Sequence, residues 1–489
     1  MKTSAAAALL GLFATASSAL QLIPRGDGPP AVVGININRK HVANPVKRDQ
    51  RRRRQTQTVS ETLDNEETLY FANVTLGTPG QNLRLHIDTG SSDLWTNSAN
   101  SQLCQSYYDP CSVSGTYDPD KSSTSKLISN DFNISYVDGS GALGDYRSDT
   151  LNIGGAKLEN LQFGLGLNSS SPEGILGIGY PINEIQVNRN NKKQYSNVPQ
   201  AMVDAKLIQS SAYSLWLDDL ESSTGSILFG GIDTKKFKGM LSTLPIEKEF
   251  GTFAEFFITL SGVSFTQGGK PQEFSNSGLP TPVLLDSGSS LTYLPNGLTE
   301  EIYTTLNVIY QGAGQDALCD CRIADTDATL DFTFTSPKIS VPMSELAINP
   351  GPNEDGSTAT FDDGTPLCIF GISPADGTPP VLGDTFIRSA YVVYDMGNNE
   401  ISIAQTDFNA TDSNVIEIGT GTEAVPSATA VISPVQAQVS ETGGARLDEP
   451  TASGTISAGA QPTNGAMGVN PSSAGMFALG GVAAVLAFA

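Results

Sequence analysis

Histidine is nearly missing from this chain. Among 489 residues there are two, His41 and His86. A metal site built from several imidazoles is therefore excluded. A Ser-His-Asp or Cys-His machine would have to run through His86, because His41 lies in a segment that reads as removable. Cysteine is also scarce. Five residues in a chain with secretory signals suggest two disulfides and one free thiol. Charged residues make up only 16% and are lopsided, with 28 Lys+Arg against 51 Asp+Glu and a net charge of −23. That sign argues against nucleic-acid binding. The apolar runs at both ends are shorter than the ~20 residues of a membrane-spanning helix. What is abundant is glycine (49) and proline (28), which suits many turns and short strands. The length allows two or more lobes.

Residues 1–19 read as a signal peptide, with Lys2, an apolar run from Ala5 to Ala16, and the small residues Ser17-Ser18-Ala19. Residues 20–54 read as a basic propeptide carrying +7, ending in Lys47-Arg48 and Arg51-Arg52-Arg53-Arg54. In a secreted chain such runs are processing sites. Without residues 1–54 the remainder has 18 basic and 49 acidic residues, or −31. A basic leader beside an acidic body suggests electrostatic docking that loosens as carboxylates protonate. The body, from Thr68 to Gln405, alternates short β-rich segments with turns, as in Tyr70–Leu76, Gly77-Thr78-Pro79-Gly80 and Leu83–Ile87. It reads as all-β with two short helices, near Asn197–Ala205 and Thr299–Tyr310. The lobes are expected at 55–235 and 236–407. Residues 408–464 read as a Ser/Thr-rich disordered stalk, and 465–489 as a removed lipid-anchor signal with attachment at Asn464. A plain flexible C-terminus is the alternative. Sequons stand at Asn73, Asn133, Asn168 and Asn409.

One turn occurs twice. Leu85-His86-Ile87-Asp88-Thr89-Gly90-Ser91-Ser92 returns as Leu284-Leu285-Asp286-Ser287-Gly288-Ser289-Ser290. Each copy is followed about ninety residues later by an apolar-apolar-Gly element, Ile175-Leu176-Gly177 and Val381-Leu382-Gly383. The repetition suggests duplicated β lobes with a cleft between them. Two Asp side chains brought together there cannot both ionise comfortably, so the pair shares a proton and is acid and base at once. That arrangement hydrolyses an amide through a bound water, without metal, cofactor or histidine. Gly90 and Gly288 let the backbone turn tightly. Ser91 and Ser289 can orient the carboxylates through their hydroxyls. Two unrelated surface turns are the bland alternative.

Ile87–Trp95, Leu285–Ser290 and Leu382-Gly383-Asp384-Thr385-Phe386-Ile387-Arg388 resemble the pepsin-type aspartic proteases. With the polybasic leader, stalk and anchor signal, the chain is most similar to the yapsin-like GPI-anchored fungal enzymes. The resemblance covers Thr68 to Gln405, with further agreement at Ser226–Asp233. It implies a bilobal all-β fold, a monomer and peptide-bond hydrolysis by Asp88 and Asp286, supported by Thr89, Gly90, Ser91, Ser287, Gly288 and Ser289. It implies a flap over the cleft, with Tyr136 hydrogen-bonded to Trp95 and Asp138, Gly139 and Ser140 beside it. Val137 departs from the family's glycine and is stiffer. It implies disulfides Cys104–Cys111 and Cys321–Cys368; Cys319 as partner of Cys368 is the alternative. Cofactors and metals are not expected.

The acidic body is expected to favour basic residues in peptide substrates, with Asp138 as one contact. A lipid anchor to membrane or wall is expected to hold the enzyme at the cell surface. Two other classes compete. An inactive binding or wall protein of the same fold is disfavoured because both aspartates and both glycines are present. A two-carboxylate glycosidase is disfavoured by the repeated Asp-Thr/Ser-Gly turns.

Overall fold

The structure, a computed structural model, describes residues 22–23, 31–41 and 68–439, apart from 137–139, 191, 223, 275–277, 313–314 and 352–356. The expected signal peptide, both basic clusters, Val137, Asp138, Gly139 and Asn464 lie outside the described residues.

Alternating apolar residues build the first lobe. In Gln81–Asp88 the residues Leu83, Leu85 and Ile87 point into a core shared with Val74 and Leu76 of the antiparallel neighbour Thr68–Leu76. Its last four residues are all buried, because the strand enters the sheet interior where both faces are covered. This strand belongs to a fourteen-stranded sheet that joins the two halves of the body. Near its middle run Ala390–Asp395, Ala212–Trp216, Thr224–Phe229, Val33–His41 and Thr68–Leu76. The second lobe adds a five-stranded sheet holding Thr281–Leu285 between Phe257–Leu260 and Val381–Leu382, and a four-stranded sheet around Gly262–Gln267 and Thr329–Thr333. The architecture is the bilobal all-β fold expected from the sequence.

The two expected helices sit near their places, while Ile185–Asn190, Met343–Leu346 and Asp384–Ile387 are short helices that were not expected. Val198–Asp204 is capped by Asn197, whose side chain accepts from the Gln200 N–H. The second spans Asn296–Leu306, ahead of the expected Thr299–Tyr310. It stops at Asn307, which takes the left-handed conformation at φ 54°.

Both expected disulfides are present, with Cα–Cα distances of 5.1 Å for Cys104–Cys111 and 5.0 Å for Cys321–Cys368. Cys319 is free and buried, directly opposite Cys368 in strand register. Burial pushes its thiol up to about 12, so it stays protonated and unreactive.

The expected stalk boundary at 408 is corrected. Residues 408–439 pack against the body. Val415–Glu417 pairs antiparallel with Gly231–Asp233 and parallel with Leu22–Ile23 of the leader. Ala428–Ala430 extends the large sheet beside Leu241–Pro245. Ile418, Ala424 and Val425 close a second core over Ile232, Phe237, Tyr391 and Val393. The Ala437 N–H donates to Thr259 Oγ1 at 2.9 Å. Composition concealed this because the strands are three residues long and owe their form to pairing partners far off in sequence. A chain ending at Asp407 should lose at least about 3 kcal/mol relative to one ending at Val439, from the Ile418 and Val425 side chains alone. Equal denaturant midpoints for the two truncations would contradict this packing.

Candidate active site

Each aspartate turn is set by a pair of parallel strands. Gln81–Asp88 runs parallel to Gly174–Gly177, with Asp88 opposite Gly177, and the Ile178 N–H donates to the Asp88 carbonyl at 3.0 Å. In the second lobe Leu285 lies opposite Leu382, and the Asp286 N–H donates to the Leu382 carbonyl at 3.1 Å. The repeated Leu-Gly elements are thus the strands that press on each turn. Their glycines are required by closeness. A Cβ on Gly177 would lie 2.7 Å from the backbone N and O of Asp93, and one on Gly383 would lie 2.3 Å from the carbonyls of Ser289 and Leu291.

The turns then orient their own carboxylates. The Gly90 N–H donates to Asp88 Oδ1 at 2.9 Å and the Ser91 hydroxyl to Oδ2 at 2.6 Å. In the copy, the Gly288 N–H donates to Asp286 Oδ1 at 2.8 Å and the Ser289 hydroxyl to Oδ2 at 2.8 Å. Thr89 and Ser287, both buried, tie the turns together. The Ser287 N–H donates to Thr89 Oγ1 at 3.0 Å, and that hydroxyl donates to the Leu285 carbonyl at 2.9 Å. Reciprocally, the Thr89 N–H donates to Ser287 Oγ at 3.2 Å, and that hydroxyl donates to the Ile87 carbonyl at 3.0 Å.

The result is a meeting of the two side chains. A Cβ placed on Gly288 would lie 2.5 Å from Asp88 Oδ1 and 2.9 Å from Asp286 Oδ1. Both inner oxygens therefore border one small space. A Cβ on Gly90 would lie 2.6 Å from Asp286 Oδ1. His86, by contrast, is buried with its ring 5.7 Å from that of Phe71.

In the first lobe, Lys126–Ser135 and Gly141–Ile153 form a hairpin. At its tip the Tyr136 N–H donates to the Ser140 carbonyl at 2.8 Å. Trp95 is fully buried, and its Nε1–H donates to the Tyr136 hydroxyl at 2.8 Å, as the sequence resemblance implied. The four sequon asparagines, Asn73, Asn133, Asn168 and Asn409, are all exposed.

Behind the first turn lies a buried group that the sequence reading missed. Asp93 accepts at Oδ1 from the hydroxyls of Tyr195 (2.8 Å) and Tyr146 (3.2 Å), and at Oδ2 from the Ile185 N–H (2.8 Å). Glu184 Oε2 accepts from the Tyr195 N–H at 2.8 Å. Burial raises the Asp93 pKa, against these hydrogen bonds. Burial pushes Glu184 up to about 10, with the neighbouring Asp93 charge adding to it. Asp93 directly follows the repeated stretch, where the second copy has Leu291, and that acid in an apolar run could have been flagged. Tyr146, Glu184 and Tyr195 carried no local signal. A second group missed is the ion pair of Arg388 and Glu345, in which Arg388 Nε donates to Glu345 Oε2 at 2.5 Å, both side chains being buried.

The Glu184 shift has a definite sign. Its folded-state pKa lies above the ordinary 4.5, so the folded protein keeps a proton that the unfolded chain releases from pH 4.5 upward. That stabilisation is complete below pH 4.5 and is lost progressively as pH rises towards 10. Glu184→Gln should flatten the decline, by on the order of 3 kcal/mol between pH 4.5 and 7. Parallel stability–pH curves for wild type and variant would refute this.

A sequence model described as "Eukaryotic aspartyl protease" matches residues 69–406. A probable aspartic-type endopeptidase opsB of Aspergillus fumigatus is 55% identical over 422 residues, covering 86% of each chain. A probable aspartic-type endopeptidase OPSB of Arthroderma benhamiae is 49% identical over 441 residues, 90% of this chain and 89% of its own. Barrierpepsin of Saccharomyces cerevisiae is 33% identical over 377 residues, 72% of this chain and 62% of its own. With twin aspartate turns bordering one space and a match of this extent, the chain belongs to the eukaryotic aspartyl protease family, as an aspartic-type endopeptidase.

Proposed function

We propose that Asp88 and Asp286 share one proton and activate a water that attacks the peptide carbonyl. The supporting observation is the single space bordered by both inner oxygens. Two charged carboxylates held there would repel each other, and a shared proton relieves that repulsion. The ionised partner takes a proton from water while the protonated one donates to the carbonyl oxygen. The N–H groups of Gly90 and Gly288 hold the inner oxygens, and Ser91 and Ser289 hold the outer ones. Tyr136, with Trp95, closes the substrate side of the first lobe.

The finer reading is a secreted, acid-active enzyme made with a basic leader and held at the cell surface by a lipid anchor near Asn464. The N-terminal apolar run, the dibasic clusters and the small-residue tail support it. The charge of −31 beyond Arg54 supports a preference for Lys or Arg around the scissile bond.

The processed protein should cleave a peptide library best near pH 4–5, with cut sites enriched in Lys and Arg. A profile without that enrichment would remove the basic preference. Asp88→Asn and Asp286→Asn should each lower kcat by at least about 10²–10⁴-fold without unfolding the protein. Either variant retaining full activity would sink the paired-carboxylate mechanism. Gly288→Ala should also abolish activity, because its methyl displaces the Asp88 carboxylate across the cleft. Release of surface activity by a phosphatidylinositol-specific phospholipase is expected of the anchor, and full retention after treatment counts against it.

A further inference from the structure

The leader strand Val33–His41 lies inside the large sheet, between Thr224–Phe229 and Thr68–Leu76. It pairs with the first over six positions, Val33↔Phe229 to Asn38↔Thr224, and with the second over four, Asn38↔Phe71 to His41↔Thr68. Val33, Ile35 and Ile37 alternate into the main core and are at most 7% exposed. The body is shaped to this strand. A Cβ on Gly154 would lie 2.6 Å from the Gly34 carbonyl and 2.9 Å from Ile35 Cγ1. One on Gly230 would lie 2.7 Å from the Ala31 carbonyl, and one on Gly231 2.7 Å from Val32 Cγ1. Three glycines of the body are thus kept bare where the leader passes.

We infer that the leader strand outlasts the cut that separates it, and stays in its slot as a non-covalently bound second chain. Only one element of the proposed function is needed for this, a cut between His41 and Thr68. The slot asks for an extended segment with apolar residues at three alternating positions, and main-chain pairing on both edges supplies the rest of the affinity. The stretch after the last basic cluster is a poor replacement. Residues 55–67 hold two apolar residues, Val59 and Leu63, with Glu61 between them. No three alternating positions in that stretch are apolar. Its four acids, Glu61, Asp64, Glu66 and Glu67, come with no base. With residues 66–67 left to make the turn into Thr68, Val59 takes the Ile35 position and Glu61 falls where Ile37 is fully buried, and an unpaired carboxylate is costly there. The pairing of Leu22–Ile23 with Val415–Ile416 adds a second attachment outside the slot.

The test cuts the purified full chain in vitro with a protease specific for paired basic residues. Cleavage is confirmed on a denaturing gel. Size-exclusion chromatography in native buffer should then return the leader fragment and the body in one peak at one-to-one ratio, by intact mass. In concentrated guanidinium chloride they should separate. A leader fragment eluting apart from the body in native buffer overturns the inference, whether or not the body stays soluble. Gly231→Val places bulk against Val32 and should speed leader release at least tenfold after the same cut. Unchanged release in that variant, with Val32 still covered, would also count against the slot as the holding site. Peptide hydrolysis plays no part in either readout, so failure of the paired-carboxylate mechanism would leave this result standing.

Discussion

The reciprocal hydrogen bonding of Thr89 and Ser287 is the constraint on which the site depends. Each hydroxyl uses its one proton on the carbonyl just before the opposite aspartate and accepts the opposite N–H. Neither has a spare proton to point elsewhere. The four bonds are buried, where such bonds are stronger than in water. They leave the two turns one relative placement, and the carboxylates inherit it. The surrounding strands press each turn from behind, and the glycines at 177 and 383 allow that pressure without a clash. Without the hydroxyl pair, two correctly formed turns would face each other with no rule for how far apart.

A second theme is the number of acids kept away from water. Asp93 and Glu184 behind the first turn, and Glu247 beneath the segment that follows the body, all have raised pKa values with burial as the leading cause. Folding such groups is least costly where they are already protonated. These three groups are therefore accommodated most readily on the acid side of neutrality.

The site was legible in the sequence because it is local and doubled. Asp-Thr/Ser-Gly with a hydroxyl after it encodes the carboxylate, its N–H donor and its orienting hydroxyl within four residues, and the second copy announced the partner. The Trp95–Tyr136 bond was also within reach, through family resemblance. What stayed hidden depends on distant partners. Glu345 meets Arg388, and Tyr146 and Tyr195 meet Asp93, only through the fold. The segment 408–439 hid for the same reason, since its Thr, Ser and Ala carry no period and its strands exist through pairing. The leader was read as an electrostatic attachment. The structure seats it by strand pairing and by Val33, Ile35 and Ile37. Charge is visible in composition, whereas an open slot in a sheet is not.

Gly90 and Gly288 have a consequence for how such a molecule can change over generations. Each borders the carboxylate of the opposite lobe, at 2.6 Å and 2.5 Å from where a side chain would begin. A duplicated gene half is ordinarily free to drift while its twin carries the load. Here neither half has that freedom, because a substitution in one is felt first by the reactive group of the other. A lobe taken from another protein would fit here only if it, too, left this position without a side chain.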